Sequence, residues 1–116
     1  MKPALQLQDL LRTSDQARVD PLTVFAFVIL GVIESLTNGL MSPKESVRFV
    51  FHFDNCSYVR KRLKKKSANE VMGRGLQLAD LFDGLPLEEA QREYARELAA
   101  MKALCMNLIE KEHLVA

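Results

Sequence analysis

Val24-Phe25-Ala26-Phe27-Val28-Ile29-Leu30-Gly31-Val32-Ile33 is the stretch on which the fold turns: ten consecutive residues without one polar side chain. A segment apolar on every face is expected to be enclosed by other elements of a folded chain, because it has no side to offer to water. Its flanks decide what kind of element it is. Asp20 can accept hydrogen bonds from the free amides of a first helical turn, and Pro21 suits the first helical position because it has no amide to satisfy. At the other end Asn38-Gly39 supplies the residue types that take left-handed geometry and close a helix. The β-branched residues leave a buried strand as the rival. No second strand candidate exists to pair with it, however, and a lone strand leaves its backbone groups unsatisfied. The expectation is an all-α fold, a compact single-domain bundle of about five helices with a hydrophobic central helix and a long C-terminal helix.

The same run bears on localisation. A membrane-spanning helix needs about 20 mostly apolar residues, whereas Asp20 and Glu34 close this one at both ends. A signal peptide does not fit either, because Asp9, Asp15 and Asp20 precede the run and no small-residue cleavage site follows it. A soluble, cytoplasmic protein without membrane association is expected. The 116 residues, 48% hydrophobic and 27% charged, suit one domain over residues 1–116, with 1–19 forming a short helix and a polar linker. Cys56 and Cys105 lie far apart in no framework pattern, so free thiols are expected.

Working outward, Pro3 with Leu5, Leu7, Leu10 and Leu11 reads as a short amphipathic helix, and Thr13–Asp20 as the linker to the core. Ser42-Pro43-Lys44-Glu45 is a capping box that should start a helix carrying Val47, Val50 and Phe51 on one face. Asp54-Asn55 should interrupt it, with a new start leading to Tyr58, Val59 and Leu63. Ser67-Ala68-Asn69-Glu70 is a second capping box, ahead of Val71, Met72, Leu76, Leu78 and Ala79. Gly73 and Gly75 weaken that helix, so either they let two backbones approach closely or the segment is broken there. After the turn Asp83-Gly84-Leu85-Pro86, one long helix is expected, with Leu87, Ala90, Tyr94, Leu98, Met101, Cys105 and Leu108 on a single stripe. That stripe is also the face through which the C-terminal helix would self-associate into a homo-oligomer.

The words Leu30-Gly31-Val32-Ile33-Glu34-Ser35-Leu36-Thr37-Asn38-Gly39-Leu40 and Leu76-Gln77-Leu78-Ala79-Asp80-Leu81-Phe82-Asp83-Gly84-Leu85-Pro86 carry a resemblance. Over Val28–Pro86, about half of the chain, the sequence resembles a family of small bacterial proteins of uncharacterised function. The resemblance implies a bacterial, helical, single-domain protein and transfers no activity.

Residues with reactive chemistry do not assemble into a motif. His52 and Cys56 are four apart, a metal-ligand spacing on a continuous helix, yet a structural zinc site needs four convergent ligands and only Cys105 and His113 remain. Cys56, near Arg60 and Lys61, is the better placed of the two thiols for a nucleophile, and Cys105 on the apolar stripe the worse. Glu34, Asp80 and Asp83 are the carboxylates nearest to apolar runs, but nothing in the sequence pairs them for acid–base work. Gly73-Arg74-Gly75 is too short to cradle a phosphate. The expectation is a protein that is not an enzyme, with no catalytic residue, no metal site and no cofactor.

Charge is the sharper signal. The net charge is +1, but residues 1–59 contribute −1, residues 60–74 contribute +6 and residues 75–116 contribute −4. Within the middle segment Arg60, Lys61, Arg62, Lys64, Lys65 and Lys66 form a basic run, and Arg74 follows. The opposing candidate is an acidic face holding Glu88, Glu89, Glu93 and Glu97. Cations collect at helix C-termini for structural reasons as well, since they complement the dipole there. Two readings follow. The first is a non-enzymatic protein-binding module, an immunity-type toxin neutraliser or a regulatory adaptor, that meets its partner through one of these faces. The alternative is a nucleic-acid-binding protein that uses residues 60–66.

Overall fold

Asp20 caps the apolar helix as its position predicts: its carboxylate accepts the Leu22 amide at 3.1 Å, with Pro21 as the first helical residue. In the computed structural model, which describes residues 4–16 and 18–113, this helix (α2) spans Pro21–Thr37. It closes where Asn38 caps it and Gly39 takes φ +71°, a conformation that costs glycine nothing. The other helices are α1 (Leu7–Gln16), α3 (Pro43–Phe49), α4 (Phe53–Tyr58), α5 (Lys66–Gln77), α6 (Asp80–Gly84) and α7 (Leu87–His113), and a π-helical turn over Val59–Leu63 joins α4 to the start of α5. The fold is all-α, with no strand among the described residues.

There are seven α-helices among the described residues where about five are expected. One reason is that Asp80–Gly84 forms a short helix of its own ahead of the long C-terminal one, and the break after Ser42 also falls elsewhere than expected. The Ser42 capping box forms in full, each of its two hydrogen bonds 3.1 Å long. But α3 then stops at Phe49, and α4 begins at Phe53. The interruption therefore falls on Val50–His52, and Asp54-Asn55 lies inside α4. Asn55 is buried there because its amide is used three times: its Oδ1 accepts the Leu7 amide at 3.0 Å, and its Nδ2 donates to the carbonyls of Leu5 at 2.9 Å and Val50 at 2.8 Å. These bonds fasten the entry to α1 onto the loop between α3 and α4. The linker expected from Thr13 also gives way, since α1 continues to Gln16; Pro3, read as part of that helix, lies outside the described residues.

The second capping box does not form. Lys64 takes a left-handed φ of 51°, and α5 then starts at Lys66 without a side-chain cap, which leaves Ser67 inside the helix. Glu70, freed from a capping role, pairs instead with Arg74 one turn on, at 3.1 Å. Of the two glycines of α5, Gly75 is there for close approach. A Cβ on it would meet the Phe51 ring at 2.4 Å, whereas one on Gly73 would meet nothing within 4 Å.

The core gathers around α2 and α7, which pack along each other, with α5 and α6 against α7, and α1 against α2 and α4. Phe25, Ile29, Phe51, Met72, Leu78, Met101 and Leu108 are among the fully enclosed side chains. The C-terminal stripe is largely consumed here: Ala90, Leu98, Met101, Cys105 and Leu108 are buried within this chain, while Leu87 is exposed. Self-association would have to use a different surface. The enclosure expected for α2 is also incomplete. Phe25, Ala26, Ile29, Val32, Ile33 and Leu36 face inward, but Phe27 is 57% exposed and Gly31 lies open on the same outer side. No helix among the described residues is long and apolar enough to cross a membrane.

Candidate partner-binding surface

The basic run is shaped by its backbone. In a π-helical turn the hydrogen bonds span one residue more than in an α-helix, and here the Lys64 amide reaches back to the Val59 carbonyl at 3.2 Å. Val59 is buried and anchors the turn, while Arg60, Lys61 and Arg62 are exposed around it. Left-handed Lys64 then turns the chain, so Lys64 and Lys66 also reach solvent, with Lys65 half-buried. None of these six cations forms an ion pair among the described residues. A non-glycine residue in left-handed geometry is uncommon and mildly unfavourable. Such strain, next to a π-helical turn, is the kind of local irregularity that collects at functional sites.

Beside this ridge is a polar groove of about 330 Å³ between the entry to α1 and the α4–π segment. Lys61 and Arg62 supply its positive charge, Gln6, Gln8, Ser57 and Asp54 its hydrogen-bonding groups, and Phe53 and Tyr58 its aromatic surface. Phe53 is 73% exposed, a large apolar side chain held in water at the first position of α4. Sequence reading passes it over. Had the helix break been placed before Phe53, Asn55 and Val59 would have marked the inward face of α4 and left Phe53 off it. Gln6 and Gln8 carry no such signal, since only the Asn55 bonds bring that segment alongside.

The remaining candidates are placed elsewhere. Arg74 does not join the ridge: it lies on α5 and is held by Glu70 and by Glu97 of α7. Of the acidic set on α7, Glu97 is thus neutralised across the α5–α7 interface and Glu93 pairs with Arg96 at 3.1 Å. Glu88 and Glu89 are exposed in the first turn, where carboxylates complement the helix dipole. That gives these two a structural role already.

His52 and Cys56 stay close to each other in sequence but serve separate bonds. His52 Nε2 lies 3.0 Å from the Leu5 carbonyl, and the Cys56 thiol donates to the Phe51 carbonyl at 3.5 Å. Burial raises the Cys56 pKa above the usual thiol value, against a smaller lowering by Arg60. Burial raises that of Cys105 to about 12. Both are free thiols, and neither is poised as a thiolate. Among the described residues no three His, Cys, Asp or Glu side chains gather where they could hold a metal ion. Glu34 sits on the exposed side of α2, bonded to the Asn38 amide at 3.2 Å. Asp80 and Asp83 lie in the first turn of α6.

Compared with protein-family models, with curated protein sequences and with solved structures, the chain matches none. Nothing in those comparisons bears on the resemblance over residues 28–86.

Proposed function

We propose that this chain is a protein-binding module, not an enzyme, and that it docks an acidic protein segment on the α4–π ridge. The observation that carries this reading is the coincidence of six cations with no ion pair among the described residues, two of which (Lys61 and Arg62) line one polar groove, and a phenylalanine 73% exposed in the same groove. Exposed aromatic rings and arginines are the side chains that anchor protein interfaces, because they bury large area and pair with carboxylates in two-pronged geometry. The Gln6 and Gln8 amides, the Ser57 hydroxyl and the Asp54 carboxylate offer donors and acceptors matched to a peptide backbone, and Lys61 and Arg62 are matched to its acidic side chains. Free lysines around the turn steer such a partner in from a distance. An immunity-type neutraliser or a regulatory adaptor would use a surface of this kind.

Nucleic-acid binding is the second reading, favoured by the aromatic rings of Phe53 and Tyr58 beside the cations, which suit stacking on single-stranded bases. Against it, Asp54 lines the same groove and the net charge of the chain is only +1. A photo-crosslinking residue at Phe53, used in the native cell, separates the two. The proposal expects one acidic protein to be captured, and charge reversal at Lys64, Lys65 and Lys66 to abolish its capture. Crosslinks to RNA or DNA, or protein crosslinks indifferent to the charge reversal, would overturn it.

A further inference from the structure

The outer face of α2 is only partly covered by the described residues. Along it Phe27 is 57% exposed, Gly31 is open, and Val24, Val28 and Leu30 are only half-buried; no charged residue occurs on α2 before Glu34. Phe27 and Glu34 are seven residues apart, so they share one row of the helix about 10 Å apart. The Glu34 end of that row borders a groove of about 340 Å³ between α2 and α7. Buried Ile33 and Leu98 floor it, exposed Ala95 and Ala99 keep its α7 wall low, and Glu34 and Lys102 stand at its rim. One face therefore holds both a projecting ring and an apolar recess.

We infer that this face is a two-fold interface to a second copy of the same chain. A two-fold contact sets a patch against itself, so it requires a knob and a hole on the same face at the correct separation. With the axis beside Gly31 and the two α2 helices antiparallel, Phe27 of each chain meets the Glu34 end of the other and enters its α2–α7 groove. Gly31 lies midway, and nothing within 4 Å of an ideal Cβ there would hold the helices apart. The charges agree with the same arrangement. Glu34 and Lys102 form no ion pair among the described residues, and the two-fold brings each toward its opposite on the other chain. A face of about three helical turns is smaller than the roughly 800 Å² per partner of a standard stable interface, so the dimer exchanges with monomer at micromolar concentrations or above. The surface shares no residue with the cationic ridge and stands or falls independently of it.

Sedimentation velocity from about 1 µM to about 1 mM spans the affinities of such weak interfaces. The expected result is a monomer–dimer equilibrium that Phe27→Glu weakens at least about tenfold, with helical circular dichroism and unfolding midpoint unchanged. Gly31→Leu, which meets only open space in the monomer, weakens it as well. Glu34→Lys and Lys102→Glu each weaken it, and the double exchange restores it. A wild-type chain that stays monomeric over the whole range overturns the inference. So does a dimer indifferent to Phe27→Glu, or one that the double exchange fails to restore.

Discussion

At the scale of single residues, two glycines in one helix make opposite predictions. Gly75→Ala puts a Cβ within 2.6 Å of three carbon atoms of the fully buried Phe51 ring. It should destabilise the fold by about 1–3 kcal/mol, the usual cost of an overpacked core. Gly73→Ala, with open space around it, should stabilise by up to about 1 kcal/mol through helix propensity alone. Urea denaturation of the two variants checks both signs. Cys105 gives a pH prediction. Its thiol titrates near pH 12 when folded, against 9.0 when unfolded. Between those values the unfolded chain has lost the proton that the native chain keeps, so stability falls as pH rises. The slope is on the order of 1 kcal/mol per pH unit, absent below pH 9. Denaturation of Cys105→Ala at several alkaline pH values should show that slope removed, on top of a uniform loss from the cavity.

At the scale of elements, the docking of α1 hangs on Asn55. Replacing it by leucine removes three hydrogen bonds and leaves the Leu7 amide and the Val50 carbonyl buried without that partner. The cost should be about 2–4 kcal/mol, and amide hydrogen exchange should show α1 losing protection before α2 does. Elements whose signals are local were legible in the chain. Asp20-Pro21, Asn38-Gly39 and Ser42–Glu45 act within one turn of themselves, and each ends or begins a helix where it stands. Signals that compete with neighbours were not. Ser67–Glu70 has the letters of a capping box, but the π-helical turn and left-handed Lys64 deliver the chain into helix two residues too early for Ser67 to cap it. Asn55 looked like a helix breaker because its type favours loops. Its true role depends on Leu5 and Leu7, nearly fifty residues away, which no local pattern reveals. Likewise the hydrophobicity of α2 showed that it is central but not which of its faces the other helices reach.

At the scale of the whole molecule, charge is sorted by where it is neutralised. Arg74 and Glu97 hold α5 to α7, and Arg96 covers Glu93, so only part of the acidic face is free. The ridge of Arg60–Lys66 has no such compensation among the described residues, which leaves a molecule of net charge +1 with one strongly cationic face. The basic run was plain in the sequence. The groove beside it was not, since it joins the start of α1 to α4 across the intervening α2 and α3, and Phe53 belongs to it only because α4 begins there. The most direct test is a calorimetric titration of the protein captured at Phe53 against the wild-type chain and two charge reversals. Reversing Lys64, Lys65 and Lys66 should weaken binding at least about a hundredfold, with a marked salt dependence in the wild type, while reversing Glu88 and Glu89 should leave affinity within about threefold. Equal affinities for the wild type and the lysine reversal would contradict the assignment of the ridge as the docking face.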